Sequence, residues 1–343
     1  MISTVSARRI AWVLGLALLL ETPTAAIGEE VAPAAGVGSG VAKQAETPEL
    51  AAASSTGKAK APRRRRRVRR RQPRPLRLPA ITPYGIPRLH VKAAYVVDAA
   101  TGRVLFQKNP ERVMPIASLT KLVTAMVLLE TEPDWDRTIE VLPGDVKNSS
   151  RSRIRAREEI TVRDLIHASI MSSDNVATKA LARTCGLTND EFVRRMNVKA
   201  ESLGLTGTRF VEPTGLSEQN VATAEGVARL LNAAAANPIV SAIMQKQSYA
   251  FVSNRKTHHL VNTNRLLNSK WRVTGGKTGF INEAGYCLVT SVETPTGAAV
   301  TAVVLGAPSN ALRFAEARRI LDWTFRFGLT PPPLVVPPAG ENH

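Results

Sequence analysis

Apolar residues along the chain predict strands near both ends of one unit and helices between them. The segment HVKAAYVVDAATGRVLFQKN (90–109) contains two β-prone stretches around an Ala-Thr-Gly turn, which predicts a β-hairpin. The segment GYCLVTSVETPTGAAVTAVVLGA (285–307) has the same pattern and predicts a second hairpin. We therefore expect segments from the two ends of the unit to form one sheet.

Between the two hairpins, apolar residues recur at helical spacing. Thr188 and Glu191 form a capping box, and Thr223 provides a second N-cap, so each position predicts the start of a helix. A further helix is predicted over residues 310–327, with Gly328 as its left-handed stop. The fold class that follows is α+β: an antiparallel sheet from both termini of the unit, flanked by helices, with a mostly helical insert.

The start of the chain carries a secretory signal pattern. Arg8 and Arg9 precede an apolar run over residues 10–20, and small residues that permit cleavage follow near Ala26. This run is shorter than the roughly 20 apolar residues that span a bilayer, which argues against the alternative of a retained membrane anchor. We predict that residues 1–26 are a signal peptide and that the protein is exported to the periplasm or cell envelope.

The next segment has a composition that predicts a disordered linker over residues 27–87. Its first part has few large apolar side chains, so it cannot bury enough surface to offset the entropy of ordering. An arginine-rich block and repeated prolines follow, and proline disfavours helices and central strands alike. The folded unit is predicted at residues 88–328, with a proline-rich tail at 329–343.

The formal net charge of +18 is concentrated in the linker. Ten arginines lie between Arg63 and Arg77, which leaves a net charge of +8 for the rest of the chain. Such a cluster binds polyanions, and for an exported chain the expected partner is an anionic wall polymer or membrane surface; we expect no nucleic acid. The alternative is that these charges only keep the linker solvated.

A lysine in an apolar segment is the first candidate for chemistry. In PIASLTKLVTAMVLLE (115–130), Lys121 lies among residues that leave no wide polar face. Burial lowers the pKa of a lysine toward the range of a general base. Ser118 lies one helical turn earlier on the same face, where a neutral amine can activate its hydroxyl. The Ser-x-x-Lys spacing is weak evidence by itself, since about one is expected by chance at this length.

Two further segments place polar residues inside apolar stretches. Ser-Asp-Asn (173–175) interrupts the segment IMSSDNVATKALA, where a turn or helix cap is the ordinary explanation. Lys-Thr-Gly (277–279) begins a β-prone stretch, where a loop is the ordinary explanation. Neither tripeptide predicts a function without the other.

In this order, the three elements resemble the Ser-x-x-Lys, Ser-x-Asn and Lys-Thr-Gly motifs of penicillin-binding proteins and serine β-lactamases. The resemblance covers about residues 90–325 and includes TRFVEPTGLS, NTNRLL and KTGFINEAGYCLV. The chain is similar to the low-molecular-mass serine DD-peptidases and most similar to their DD-endopeptidase branch, with the carboxypeptidases as the nearest rival. The resemblance implies a β-lactamase/DD-peptidase-like fold, a peptidoglycan peptide as substrate, β-lactams as covalent inhibitors and no cofactor.

The resemblance also implies roles for the first two motifs. Ser118 would attack the carbonyl of a D-alanyl peptide bond while Lys121 takes its proton. Ser173 would relay that proton to the leaving amine, and Asn175 would hold Lys121 and the substrate amide. β-Lactams would be trapped as acyl-enzymes on the same serine.

The third motif is expected to bind the substrate. By resemblance, Lys277 would keep the site electropositive and Thr278 would donate a hydrogen bond to a substrate carboxylate. Gly279 and Phe280 would continue the substrate-binding strand. The backbone N–H groups of Phe280 and Ser118 would form the oxyanion hole.

Two features depart from the carboxypeptidase pattern. Asp174 stands at the middle of the second motif, where glycine is common among the carboxypeptidases. Only a short tail follows the last predicted helix, so the β-rich second domain and anchor helix of many carboxypeptidases are not expected. Both features favour the endopeptidase branch or a soluble enzyme.

Other functions fit the sequence less well. An efficient β-lactamase of class A would add a Glu-x-x-Leu-Asn loop, and no such segment follows Asn175. A metallopeptidase would carry His-Glu-x-x-His, which the sequence lacks, so no metal site is predicted. His258 and His259 would point to opposite faces of a strand, and we expect both in solvent or in a binding groove. An inactive wall-binding relative would not need the intact motifs.

The two cysteines, Cys185 and Cys287, predict no disulfide. An oxidising compartment would allow them to pair, but nothing in their sequence context positions one against the other. We expect two free thiols.

Overall fold

The structure, a computed structural model, describes residues 85–328 except positions 151, 295, 296 and 298. The predicted signal peptide, the tail at 329–343 and the linker up to residue 84 lie outside the described residues. The predictions made for those segments therefore stay predictions.

A five-stranded antiparallel sheet forms the centre of the fold. Its strands lie in the order β2–β1–β11–β10–β9, so both ends of the unit contribute to it. The strands are β1 (Ala93–Asp98), β2 (Val104–Lys108), β9 (Arg272–Ile281), β10 (Gly285–Glu293) and β11 (Ala299–Ala307). Both predicted hairpins, β1–β2 and β10–β11, are confirmed, as is the α+β class.

The insert between β2 and β9 is mostly helical, with three two-stranded sheets, β3–β6, β4–β5 and β7–β8. Its strands are β3 (Met114–Pro115), β4 (Thr138–Glu140), β5 (Glu159–Thr161), β6 (Val221–Ala222), β7 (Ser248–Val252) and β8 (Thr257–Val261). Its helices are α1 (Lys121–Leu129), α2 (Pro143–Val146), α3 (Val162–Met171), α4 (Asn175–Thr184), α5 (Asn189–Ser202), α6 (Ala224–Ala235) and α7 (Pro238–Gln245). Short 3₁₀ helices occupy Ala117–Thr120 and Arg265–Asn268.

Local sequence signals account for several helix boundaries. The hydroxyl of Thr188 accepts a hydrogen bond from the backbone N–H of Glu191 and that of Thr223 from Gly226, so both predicted N-caps are confirmed. The last helix, α8 (Asn310–Trp323), is followed by a π-helical turn over Thr324–Gly328. No single helix in the described part of the chain is long and apolar enough to cross a membrane.

Side chains alternate along β1 between two apolar cores. Tyr95 and Val97 belong to the core that the insert covers, whereas Ala94 and Val96 belong to the core under α8. All six residues of β1 are buried because helices cover both faces of the sheet. The sheet is therefore a rigid support, and its edge strand β9 is left to line the cleft beside the insert.

Candidate active site

The predicted nucleophile lies at the start of a helix in a constrained backbone. Ser118 is in the 3₁₀ turn that precedes α1, and Ala117 before it has a φ of +50°, a region that non-glycine residues rarely adopt. A Cβ on Gly215 would lie 2.0 Å from the carbonyl oxygen of Ala117, so only glycine fits there. Strain of this kind persists where the surroundings enforce it, often at functional sites.

The amine of Lys121 lies directly beside that serine. Lys121 is fully buried, and its Nζ is 3.1 Å from Ser118 Oγ, 2.6 Å from Asn175 Oδ1 and 2.5 Å from the carbonyl oxygen of Thr214. Burial lowers the pKa of this amine from 10.5 to about 7, although the carboxylates of Glu212 and Asp174 act in the opposite direction. Near neutral pH, a substantial fraction of Lys121 is therefore a free base.

The geometry around Lys121 suits a neutral amine as well as an ammonium ion. An ammonium group donates to all three oxygens. A neutral amine has two N–H groups, which the carbonyl oxygens of Asn175 and Thr214 accept, and this leaves its lone pair for the hydroxyl hydrogen of Ser118. The two short contacts thus orient the base toward the nucleophile.

The second motif joins α3 to α4. Ser173 has a φ of +60°, and Asp174 is the N-cap of α4, where its carboxylate accepts from the N–H of Ala177 at 3.0 Å. Asn175, the first residue of α4, points its carbonyl oxygen at Lys121 and donates from Nδ2 to Ser150 Oγ at 2.6 Å. The predicted helix cap and the predicted functional position are thus both present in one tripeptide.

The third motif lies on β9, at the edge of the sheet. Lys277 is buried, and its Nζ donates to Ser173 Oγ at 2.7 Å and to the carbonyl oxygen of Thr278 at 3.0 Å. Burial, and then the charges of Lys121 and Arg313, lower the pKa of Lys277 well below 10.5. The structure therefore brings all three motifs together around two buried amines.

Gly279 and Phe280 extend this strand past the nucleophile. A Cβ on Gly279 would lie 2.8 Å from the carbonyl oxygen of Ile116 and 3.1 Å from the backbone nitrogen of Ser118, so glycine allows β9 to approach closely. The side chain of Phe280 is 46% exposed and stacks on Tyr286. The two backbone segments predicted to supply the oxyanion hole consequently lie side by side.

A cleft of about 1100 Å³ is lined by Ser118, Ser173, Asn175 and residues 278–280. Residues that the sequence did not single out also line it. Thr263 accepts a hydrogen bond from the hydroxyl of Thr278, with 2.7 Å between the two oxygens. Arg313 is buried at the floor and donates to the carbonyl oxygens of Gly279 and Cys287, each at 3.0 Å. Thr263 lies in the NTNRLL segment that carries the family resemblance, whereas Arg313 lies in α8, and no spacing rule connects either residue to the motifs.

A carboxylate holds the loop that carries Thr214. Glu212 accepts hydrogen bonds from the backbone N–H groups of Thr214 at 2.7 Å and Gly215 at 2.6 Å, and from Nδ2 of Asn220 at 2.7 Å. This fixes the carbonyl oxygen of Thr214 against Lys121. Glu212 is therefore a positioning residue, and its only signal in the sequence was its place in the TRFVEPTGLS segment.

The prediction for the paired histidines was partly wrong. His258 and His259 do point to opposite faces of β8, and His259 is exposed. His258 is buried, however, with its Nε2 2.5 Å from Glu158 Oε2 and its ring stacked on Phe251. Packing against a buried carboxylate explains the difference from a position in solvent or a groove.

The described residues contain neither a disulfide nor a cluster of metal-ligating side chains. Cys185 and Cys287 are free thiols, as predicted, and burial raises the pKa of both. Within the described ranges, no group of three or more His, Cys, Asp or Glu side chains is arranged to hold a metal ion.

An activated serine beside two buried lysines, between an α+β sheet and a helical insert, defines a serine hydrolase of the penicillin-binding type. The model of the peptidase S11 family, described as D-alanyl-D-alanine carboxypeptidase, matches residues 82–309. This chain belongs to that family and is a serine-type D-alanyl-D-alanine peptidase.

Individual proteins agree with this assignment. A D-alanyl-D-alanine endopeptidase of Pseudomonas aeruginosa is 42% identical over 239 residues, which cover 67% of this chain and 76% of the relative. A D-alanyl-D-alanine endopeptidase of Escherichia coli is 35% identical over 252 residues, which cover 71% of this chain and 80% of the relative. The structure of penicillin-binding protein D2 of Listeria monocytogenes, solved in its cefotaxime-bound form, superposes on this chain with a TM-score of 0.63 at 30% identity. The superposition includes 69% of this chain and 98% of the Listeria chain.

Proposed function

We propose that this chain is a DD-endopeptidase, which hydrolyses D-alanyl cross-links of peptidoglycan through an acyl-enzyme on Ser118. The observation that carries the proposal is the 3.1 Å contact between Ser118 Oγ and the buried Nζ of Lys121. Nucleophile and base are already within hydrogen-bond reach, and the pKa of about 7 places the base in the range where general-base catalysis is efficient.

Acylation follows from this contact. The neutral amine of Lys121 takes the hydroxyl proton as Ser118 Oγ bonds to the carbonyl carbon of the D-alanyl residue. The resulting oxyanion would accept hydrogen bonds from the backbone N–H groups of Ser118 and Phe280, which are fixed before the reaction begins. The protonated Lys121 is stabilised by the carbonyl oxygens of Asn175 and Thr214.

Collapse of the tetrahedral intermediate requires a proton on the leaving nitrogen. Ser173 is the proposed carrier: its hydroxyl donates to that nitrogen and regains the proton that Lys121 took from Ser118, which leaves Lys121 neutral again, while Lys277, 2.7 Å away, holds the Ser173 hydroxyl in place. The C–N bond then breaks, the amine leaves, and the D-alanyl carbonyl remains as an ester of Ser118. Thr278 is the proposed donor to a carboxylate of the leaving peptide.

Water completes the cycle by attacking the ester, with Lys121 again as the proposed base. A β-lactam would enter by the same acylation step, but its opened ring stays attached and blocks the water. The cefotaxime-bound form of the Listeria relative supports this expectation.

The preference for endopeptidase over carboxypeptidase action rests on similarity. The relatives at 42% and 35% identity are both named endopeptidases, and Asp174 replaces the glycine expected in a carboxypeptidase. Purified cross-linked muropeptide dimers test the preference directly. Release of monomers supports the proposal, whereas loss of a single terminal D-alanine from each dimer would indicate a carboxypeptidase.

Covalent labelling tests the nucleophile. We expect fluorescent penicillin to label the wild-type chain and Ser172→Ala, but not Ser118→Ala. Ser172 lines the same cleft but donates to the carbonyl oxygen of Ala168, so its loss should leave the catalytic groups in place. Labelling of Ser118→Ala, or failure to label the wild-type protein, would contradict the acyl-enzyme proposal.

We also propose that the protein is exported to the periplasm or cell envelope and that Arg63–Arg77 tethers it to an anionic wall polymer or membrane surface. The signal pattern at residues 1–26 and the concentration of ten arginines support this. Deleting residues 28–86 should leave penicillin acylation intact and weaken sedimentation with walls or anionic vesicles. Unchanged sedimentation would favour a linker that is merely kept solvated.

A further inference from the structure

Two side chains of α1 hold one loop of the insert. The helix has two polar residues, Lys121 and Thr124, which lie one turn apart on the same face. Lys121 Nζ donates to the carbonyl oxygen of Thr214 at 2.5 Å, and Thr124 Oγ donates to the carbonyl oxygen before it, that of Pro213, at 2.6 Å. One face of α1 therefore binds two consecutive carbonyl groups of the loop.

The hydroxyl of Thr124 is committed to this loop. A threonine inside a helix commonly donates to the carbonyl oxygen four residues earlier. Here the distance from Thr124 Oγ to the carbonyl oxygen of Thr120 is 3.4 Å, much longer than the 2.6 Å to that of Pro213. A hydroxyl has one hydrogen to donate, and Thr124 is buried away from water, so the shorter bond is the one that forms. Packing of α1 alone would be served equally by valine, which has nearly the same volume.

The loop depends on this hydrogen bond because its anchored residue is a proline. Pro213 has no backbone N–H, so its carbonyl oxygen is the one main-chain group through which it can be held. Its outer side offers little support, since Pro213 lines a second cavity of about 540 Å³ there. The next two residues belong to the site: Thr214 supplies the oxygen beside Lys121, and a Cβ on Gly215 would lie 2.8 Å from the backbone nitrogen of Ser118. A shift of Pro213 would move both residues.

The oxygen of Thr214 affects the two protonation states of Lys121 differently. An ammonium group forms a stronger hydrogen bond to a carbonyl oxygen than a neutral amine does, so this contact favours the protonated form. Burial acts in the opposite direction and lowers the pKa of Lys121 to about 7. If the oxygen moved away, the pKa would fall further, and the neutral amine would lose one of the two acceptors that aim its lone pair at Ser118. The base would then be weaker and less well oriented.

We propose that Thr124 is a positioning residue for the general base. Its hydroxyl holds the carbonyl of Pro213, and this keeps the carbonyl of Thr214 against Lys121. The inference rests on the proposed function, in which Lys121 gains a proton and loses it again during acylation. The hydrogen bond from Thr124 keeps the loop in one place while the charge on the amine changes. A threonine that only completed the packing of α1 would affect stability and leave the acid–base behaviour of Lys121 unchanged.

The experiment compares three single variants of the full chain with the wild type. Thr124→Val removes the hydroxyl and keeps the volume, whereas Thr124→Ser keeps the hydroxyl. The control, Thr184→Val, removes a hydroxyl that donates to the carbonyl oxygen of Leu181 at 2.9 Å, at the end of α4 and outside the cleft. The rate of acylation by penicillin is measured by stopped flow between about pH 5 and 9. A thermal melt shows that each variant is folded at the temperature of the assay.

On the high-pH plateau, Thr124→Val should acylate about fivefold to tenfold more slowly than wild type, as expected for the loss of one hydrogen bond. The midpoint of its pH profile should fall below the wild-type value of about 7, by roughly half a unit. Thr124→Ser should stay within about twofold of wild type on the plateau and keep the wild-type midpoint, because its hydroxyl can still donate to Pro213. Thr184→Val should match the wild type in both respects.

Four results would overturn the inference: an unchanged plateau in Thr124→Val, a lower plateau without a downward shift of its midpoint, a Thr124→Ser variant that behaves like Thr124→Val, or the same changes in Thr184→Val. A lower melting temperature with wild-type kinetics belongs to the first of these and would leave the hydroxyl a purely structural role. A failure of the proposed function is a separate outcome, because a wild-type protein that penicillin does not acylate would show it without any variant.

Discussion

Two regions of the molecule bury ionisable groups in opposite ways. Around Lys121 and Lys277, two amines are buried, and among the described ion pairs neither has a carboxylate partner. Around Glu158, a buried carboxylate contacts His258 directly, and Lys256 lies at 3.8 Å. Burying a charge is costly, and the cost is met either by pairing or by loss of the proton.

The contacts of each buried group decide whether it becomes reactive or stabilises the fold. Lys121 has only neutral oxygens at contact distance, so its pKa falls and it becomes a base. Burial raises the pKa of Glu158, but the hydrogen bonds from His258, the Arg155 backbone and Ser253 outweigh it, and the pKa is lowered. The first region should therefore control the rate of acylation and the second should control the free energy of unfolding.

The largest effect is expected from Lys121→Met, which removes the amine and keeps most of the side-chain volume. Loss of a general base typically costs 10²–10⁴-fold, and we expect acylation by penicillin to slow by about 10³-fold. The Tm should change little, because removing the desolvated amine offsets the loss of its hydrogen bonds to Asn175 and Thr214. Stopped-flow acylation and a thermal melt measure both, and acylation within tenfold of wild type would remove Lys121 from the mechanism.

The pH dependence of acylation and of stability tests the role of Lys121 as a base. Because the pKa of Lys121 is about 7, acylation should rise with pH through 7 and be about 100-fold below its plateau at pH 5. Between about pH 7 and 10.5 the unfolded chain holds this proton and the folded chain does not. The free energy of unfolding should therefore increase with pH across that window, and Lys121→Met should lack this part of the increase. A flat rate profile between pH 5 and 8 would contradict the assignment.

Substitution in the second region, around Glu158, should change the stability of the protein and not the rate of acylation. In Glu158→Ala, the groups that now donate to the carboxylate, including Ser253 and the N–H of Arg155, lose their acceptor. Removing one partner of a buried, hydrogen-bonded carboxylate network costs about 3–5 kcal/mol, so the Tm should fall by roughly 6–20 °C. The matched control is Glu159→Ala, which truncates the exposed neighbouring carboxylate. Equal melting temperatures for the two variants would show that the buried pair is not structural.

The sequence anticipated the parts of this comparison that depend on local spacing. Alternation predicted the two hairpins, and the three-residue spacing placed Ser118 beside Lys121, although a 3₁₀ turn rather than α-helix carries the serine. Contacts between distant segments had no local signal. The carbonyl oxygen of Thr214 is 93 positions from Lys121, and Glu158 is 100 positions from His258. Alternation put the two histidines on opposite faces, but only the tertiary partner decides which face is buried.

The smallest effect is expected at Ser150, at the border of the catalytic cleft. Its hydroxyl accepts from Nδ2 of Asn175 at 2.6 Å and so helps to aim the amide whose oxygen orients Lys121. A single hydrogen bond contributes about 1 kcal/mol, so Ser150→Ala should slow acylation about threefold to tenfold.

Three further measurements test whether Ser150 is a positioning residue. The Tm should stay unchanged, since the residue is exposed. Ser150→Thr, which keeps the hydroxyl, should restore the rate. Ser149→Ala removes a hydroxyl that donates to the carbonyl oxygen of Asp145, outside the cleft, and should have no effect on acylation. If Ser150→Ala acylates at the wild-type rate, water replaces the hydroxyl at this position, and Lys121 is oriented by Thr214 and Asn175 without help from Ser150.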